Sequence, residues 1–129
     1  MLVELSRGPL EGTYELIDCY CPDPTCHCQK VCVAIVDGQQ HQKRYAMISY
    51  GWQSSHFYRK WGSDQQTIKM LTNGYLEPLE EQSKHADLFL RQFRLLAKSE
   101  PDFIKRFKKR YRLFKNEIST NKKHNDLFF

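Results

Sequence analysis

All five cysteines of the chain, Cys19, Cys21, Cys26, Cys28 and Cys32, fall within 14 consecutive residues, and the other 115 positions hold none. A disulfide framework spreads its cysteines to close long loops, and an odd number cannot pair completely. Clustering this tight points to a metal site or a reactive dithiol. The segment reads as two Cys-x-Cys pairs, Cys19/Cys21 and Cys26/Cys28, around a four-residue spacer that carries Pro22 and Pro24. Side chains two apart on a strand point the same way, so a hairpin with this spacer at its turn can aim both pairs at one point. Tetrahedral zinc takes four ligands of this kind at about 2.3 Å, and closed thiolate-rich sites are structural. The expected ligand set is therefore Cys19, Cys21, Cys26 and Cys28 around one structural zinc. Cys32 shares a strand face with Cys28 and rivals Cys19 for the fourth place. Cys-x-x-Cys spacing is absent, and nothing in the sequence ties His41, His56 or His85 to a thiol as its base.

The prolines forbid ladder pairing in the cysteine segment and mark it as a loop between strands. Residues 13–20, TYELIDCY, alternate in polarity as a strand does. Residues 28–37, CQKVCVAIVD, are β-branched and end at an Asp37-Gly38 turn, and residues 44–50, RYAMISY, return as a third strand. From Gly51 the apolar period changes from two to about 3.6, where a sheet hands over to helices. Ser54 or Ser55 caps a short helix ending at Gly62, Ser63 with Gln66 has capping-box spacing, and Ser83 precedes a stripe of Ala86, Phe89, Leu90 and Phe93. Ser99-Glu100-Pro101-Asp102 opens a last helix with Phe103, Phe107, Tyr111, Phe114 and Ile118 on its buried face. The expected fold is α+β, a three-stranded antiparallel sheet with a zinc-clipped hairpin followed by two short and two long helices. With 129 residues it suits one domain, divided into sheet (1–51), helical part (52–118) and a tail (119–129) whose Leu127, Phe128 and Phe129 pack back.

The run Tyr20-Cys21-Pro22-Asp23-Pro24-x-Cys26-x-Cys28, followed by Ile48-Ser49-Tyr50-Gly51-Trp52 and Phe57-Tyr58-Arg59-Lys60-Trp61, resembles a family of small bacterial proteins with no established activity. The similarity extends weakly into Gln82-Ser83 and residues 111–115, hence over most of the chain. It implies that Cys21, Cys26 and Cys28 are the motif cysteines and that Cys19 and Cys32 occupy ordinary strand positions. The family carries an acidic residue where this chain has His27, so a three-thiolate site completed by Asp23, Cys19, Cys32 or a histidine stands beside the four-cysteine set.

Charge is unevenly placed: residues 1–64 hold 6 basic and 7 acidic side chains, and residues 65–129 hold 14 and 8. Seven cations lie between Lys105 and Lys115, and Lys105, Lys108, Lys109, Arg112 and Lys115 are expected opposite the apolar stripe. Such a face suits an acidic protein or nucleic acid, though no nucleic-acid motif accompanies it. The longest apolar run is residues 31–36, too short for a membrane span, and Glu4 and Arg7 interrupt any signal segment, which favours a cytoplasmic chain. Glycine-rich phosphate loops and nucleophile elbows are missing. The leading expectation is a non-catalytic, zinc-stabilised binding or adaptor module, ahead of a nucleic-acid-associated protein and a thiol-dependent enzyme.

Overall fold

The computed structural model describes residues 1–5, 8 and 10–128, with side chains through residue 120. Nine elements follow one another among them: β1 (Leu2–Leu5), β2 (Gly12–Cys19), β3 (Lys30–Asp37), β4 (Arg44–Gly51), α1 (Ser55–Lys60), α2 (Gln65–Asn73), β5 (Tyr75–Leu76), α3 (Ala86–Ser99) and α4 (Pro101–Phe128). The sheet is five-stranded and antiparallel in the order β1-β2-β3-β4-β5, which corrects the expected three strands while leaving the α+β class intact. The three strands read from sequence form its centre, and an extra strand is added at each edge. β1 came from the lead segment, where four residues are too few to establish a period. β5 is two residues long, and only pairing with β4 makes it a strand. Beyond β5 the β4 edge is completed by a side chain: the Gln82 amide accepts from Met47 N (3.0 Å) and donates to Met47 O (3.1 Å).

β3 is the middle strand, and Val31 and Val33 to Val36 are all buried, as a strand covered on both faces requires. Val31, Val33 and Ile35 meet Ala46 and Ile48 of β4 under Phe89, Leu90 and Phe93 of α3 and Phe103 and Phe107 of α4. Ring contacts knit this layer, Phe93 lying 5.4 Å from Phe103 and Tyr14 lying 5.0 Å from Phe89. A smaller cluster of Tyr58, Ile68 and Leu71 joins α1 and α2. No helix among the described residues is long and apolar enough to cross a membrane.

The helix starts differ from the sequence reading in instructive ways. Ser54 caps α1 by accepting from Phe57 N. Asp64, rather than Ser63, caps α2, accepting from Thr67 N at 2.7 Å. α3 begins at His85 without a side-chain cap, and the Ser83 hydroxyl is buried with no hydrogen-bond partner. Ser99 is the last residue of α3 and donates back to Leu95 O, so Pro101 opens α4 without the expected capping box. The helix then runs past residue 118, where a tail was expected. Phe129 and the side chains of Leu127 and Phe128, expected to pack back, lie outside the described residues.

Gly51 closes β4 against the Tyr58 hydroxyl and the Leu71 side chain, both of which a Cβ at this position would strike. Gly51→Ala is therefore expected to cost about 1–3 kcal/mol through overpacking. Urea unfolding at unchanged slope checks this, and a variant as stable as the parent would refute the close approach.

Candidate metal centre

β2 ends at Cys19 and β3 begins at Lys30, so the ten residues between them form the loop that carries Cys21, Cys26 and Cys28. Asp23 shapes its tip: the carboxylate accepts from Thr25 N (2.9 Å) and Thr25 Oγ1 (2.7 Å), and its carbonyl accepts from Cys26 N (3.1 Å). This turn folds the spacer back and brings the sulfurs of Cys21, Cys26 and Cys28 within 4.8 Å of one another, near enough to hold one metal ion. Two of the three come from the Cys26-x-Cys28 pair, as the spacing suggests. Cys19 is not in this group. It is the final residue of β2, exposed, and lies in register opposite Cys32 of β3. The two-residue step that aligns Cys19 with Cys21 in an ideal strand fails because β2 stops at Cys19 and the chain turns into the loop. His27 is exposed and also lies outside the group.

Both legs of the loop are fixed by residues distant in sequence. On the incoming leg, the Lys115 ammonium donates to Cys21 O (2.7 Å) and Asp23 O (2.9 Å), with its Nζ 5.6 Å from the centre of the Tyr111 ring. Lys115 is buried, so the expectation that it lies on the solvent face is corrected. It follows Tyr111 by one helical turn, as Tyr111 follows Phe107, and therefore continues the inward stripe. On the outgoing leg, Gln29 adopts a left-handed backbone (φ 55°), unusual for a residue with a side chain. Three aromatic residues hold it there. Tyr58 Oη donates to Gln29 O (2.8 Å), Trp52 Nε1 donates to Gln29 Oε1 (3.0 Å), and Gln29 N donates to Tyr111 Oη (3.3 Å). Of the aromatic residues from Trp52 to Trp61, Tyr58 is buried in the core and Trp61 is exposed, so the spacing of Phe57 and Trp61 does not by itself bury both. The Tyr58 hydroxyl and the Trp52 indole also aim the residue that follows Cys28.

The electrostatics of the three thiols differ. The Asp23 N–H directed at its sulfur, working against burial and helped by Cys26 and Lys115, holds the Cys21 thiol below the usual range. Burial pushes Cys28 up to about 11, reinforced by its contacts with Cys26 and the charge of Cys21. Burial likewise raises Tyr58, to about 12, keeping its hydroxyl a donor. Beside the loop, Arg110 pairs with Asp18, which also accepts from Tyr20 Oη (2.5 Å). Burial would raise the Asp18 carboxyl, but the bonds from Arg110 and Tyr20 outweigh it and lower it.

The basic helix divides accordingly. Lys105, Lys108, Lys109 and Arg112 line one surface groove together with Gln29, Trp52 and Gln53, while Arg110 pairs with Asp18 of β2 and Lys115 serves the cysteine loop. Sequence reasoning missed Gln29 and the role of Lys115. Gln29 carries no local signal, since its role depends on a backbone angle, whereas Lys115 stands four residues after Tyr111 on the inward stripe, a spacing that its charge masks. Comparisons with protein-family models, curated proteins and solved structures find no match to this chain.

Replacing Lys115 by Met keeps the bulk but leaves the Cys21 and Asp23 carbonyls without their charged donor. Lys115→Met is expected to lower the unfolding free energy by about 1.5–3 kcal/mol, the range for hydrogen bonds to a charged group. A urea midpoint unchanged from the parent would show that the loop is held without it.

Proposed function

We propose that this chain is a non-catalytic binding module whose cysteine loop is set by zinc on Cys21, Cys26 and Cys28. The observation that carries the reading is the convergence of these three sulfurs within 4.8 Å on a loop anchored at both legs. Thiolate sulfur is a soft donor suited to zinc, and a metal here would take over the close packing of three groups that repel one another when ionised. The Lys115 charge beside Cys21 offsets the excess negative charge that three thiolates bring to a divalent ion. Three thiolates also weaken the Lewis acidity of the ion, which supports a structural role over activation of water. The fourth ligand comes from outside the triad.

Metal analysis of protein purified without added metal should find one zinc per chain, and chelation should lower the melting temperature, because metal affinity is partly folding free energy. Cys26→Ser should lose the metal. Five freely titrating thiols, no stoichiometric metal and a melting curve indifferent to chelator would overturn the proposal.

The groove of Lys105, Lys108, Lys109 and Arg112 supports a second reading, a module that binds nucleic acid. Four cations grouped beside Trp52 suit a phosphate backbone better than cations scattered around the helix would. Binding to single-stranded or duplex DNA would then weaken with salt, by a log–log slope of roughly −0.7 to −0.9 per phosphate neutralised. Reversing Lys108, Lys109 and Arg112, all exposed, to Glu should abolish it without unfolding the protein. The absence of complex formation at micromolar protein and low salt would discard this reading and leave an acidic protein as the partner of the groove.

A further inference from the structure

Two of the five cysteines are unused by the metal triad, and the sheet places them together. Cys19 and Cys32 are direct partners in the antiparallel β2-β3 register, the last pair before the cysteine loop opens. Residues opposed in this way share a face of the sheet, with Cα atoms about 4.5–5.5 Å apart depending on the type of pair. Both values fall inside the roughly 4.4–6.8 Å over which a disulfide closes without moving the backbone. Both sulfurs are free. They line one groove with Ser49, Tyr75 and Glu77, a groove that Cys21 and Cys28 of the triad also border, and the Ser49 hydroxyl lies 3.9 Å from Cys32 Sγ. Their exposure is unequal: Cys19 faces solvent and Cys32 is half-buried.

We propose that Cys19 and Cys32 are an exchangeable thiol pair, separate from the metal triad, that closes to a cross-strand disulfide by reaction with a low-molecular-weight disulfide such as oxidised glutathione. The exposed Cys19 sulfur attacks one sulfur of the small disulfide, forming a mixed disulfide and releasing one small thiol. Cys32, fixed opposite by the register, then attacks the Cys19 sulfur, forms the protein disulfide and expels the second small thiol. The protein gives up two thiol protons and two electrons, and both released thiols carry them away. The pair sits at the mouth of the loop, so the covalent bond would pin the two strands where the ladder ends. It draws on none of the three sulfurs of the metal triad.

The test uses the full-length protein as purified, incubated with oxidised glutathione, alkylated and digested with trypsin, which separates Cys32 from the other cysteines by cleaving after Lys30. The expected product is a linked peptide pair, two hydrogen masses lighter than the two free peptides, in which Cys21, Cys26 and Cys28 are alkylated. In Cys32→Ser the reaction should stop halfway, trapping glutathione on Cys19, and Cys19→Ser should show no linkage. Metal content should be the same before and after oxidation. Cys32 recovered alkylated, a linkage from Cys32 to Cys21, Cys26 or Cys28, or metal lost in step with oxidation would each overturn the proposal. Because the readout is the link itself, a protein without zinc that still joins Cys19 to Cys32 supports this inference while refuting the metal reading.

Discussion

The buried ammonium of Lys115 is the interaction on which the arrangement of the cysteine loop depends. Taking a lysine out of water is costly unless its donors are satisfied, and here two of them meet the carbonyls of Cys21 and Asp23. Those carbonyls belong to a loop outside the sheet ladder, where Asp23 O also accepts from Cys26 N, so Lys115 adds a bond from α4 to the loop's own turn. One helical turn earlier, Tyr111 reaches the other leg of the loop through Gln29 and packs edge-on against Trp52 and Tyr20. A single stretch of α4 therefore grips both ends of a segment about 90 residues away in sequence.

That grip explains why Gln29 tolerates a left-handed backbone. Such a conformation costs of order 1 kcal/mol for a residue with a Cβ and persists only where surroundings overdetermine it. Bonds from Tyr58 and Trp52 and to Tyr111 supply that constraint. The twist they enforce lies between Cys28 and the first residue of β3, where the chain passes from a sulfur-gathering loop into a regular strand. The aromatic side chains of the β4-α1 junction thus link the helical part to the geometry of the candidate site.

The five cysteines separate into two groups by a backbone boundary. Cys21, Cys26 and Cys28 lie in the loop, where a turn around Asp23 gathers them, and Cys19 and Cys32 lie on strands, where the ladder sets their distance. Similar side chains thereby acquire different chemistry: three soft donors converge on one point, and two thiols face each other across a register pair. The basic residues of α4 divide in the same manner, between contacts to the loop and a groove open to solvent.

Amino-acid order alone determined the α+β class, the three central strands, the four helices and the cysteine segment as the place of interest. Each rests on local information, in the period of apolar residues, the prolines and the clustering of thiols. The stripe of Phe103, Phe107 and Tyr111 was legible for that reason, and all three are buried. What only the tertiary structure decided is non-local. β5 exists because β4 offers it an edge, and two residues carry no period of their own. Cys19 parts from Cys21 because β2 ends between them, a boundary set by pairing with β3. Lys115 turns inward because the loop it serves presents two carbonyls at that turn of α4, and charge alone placed it with the solvent-facing lysines.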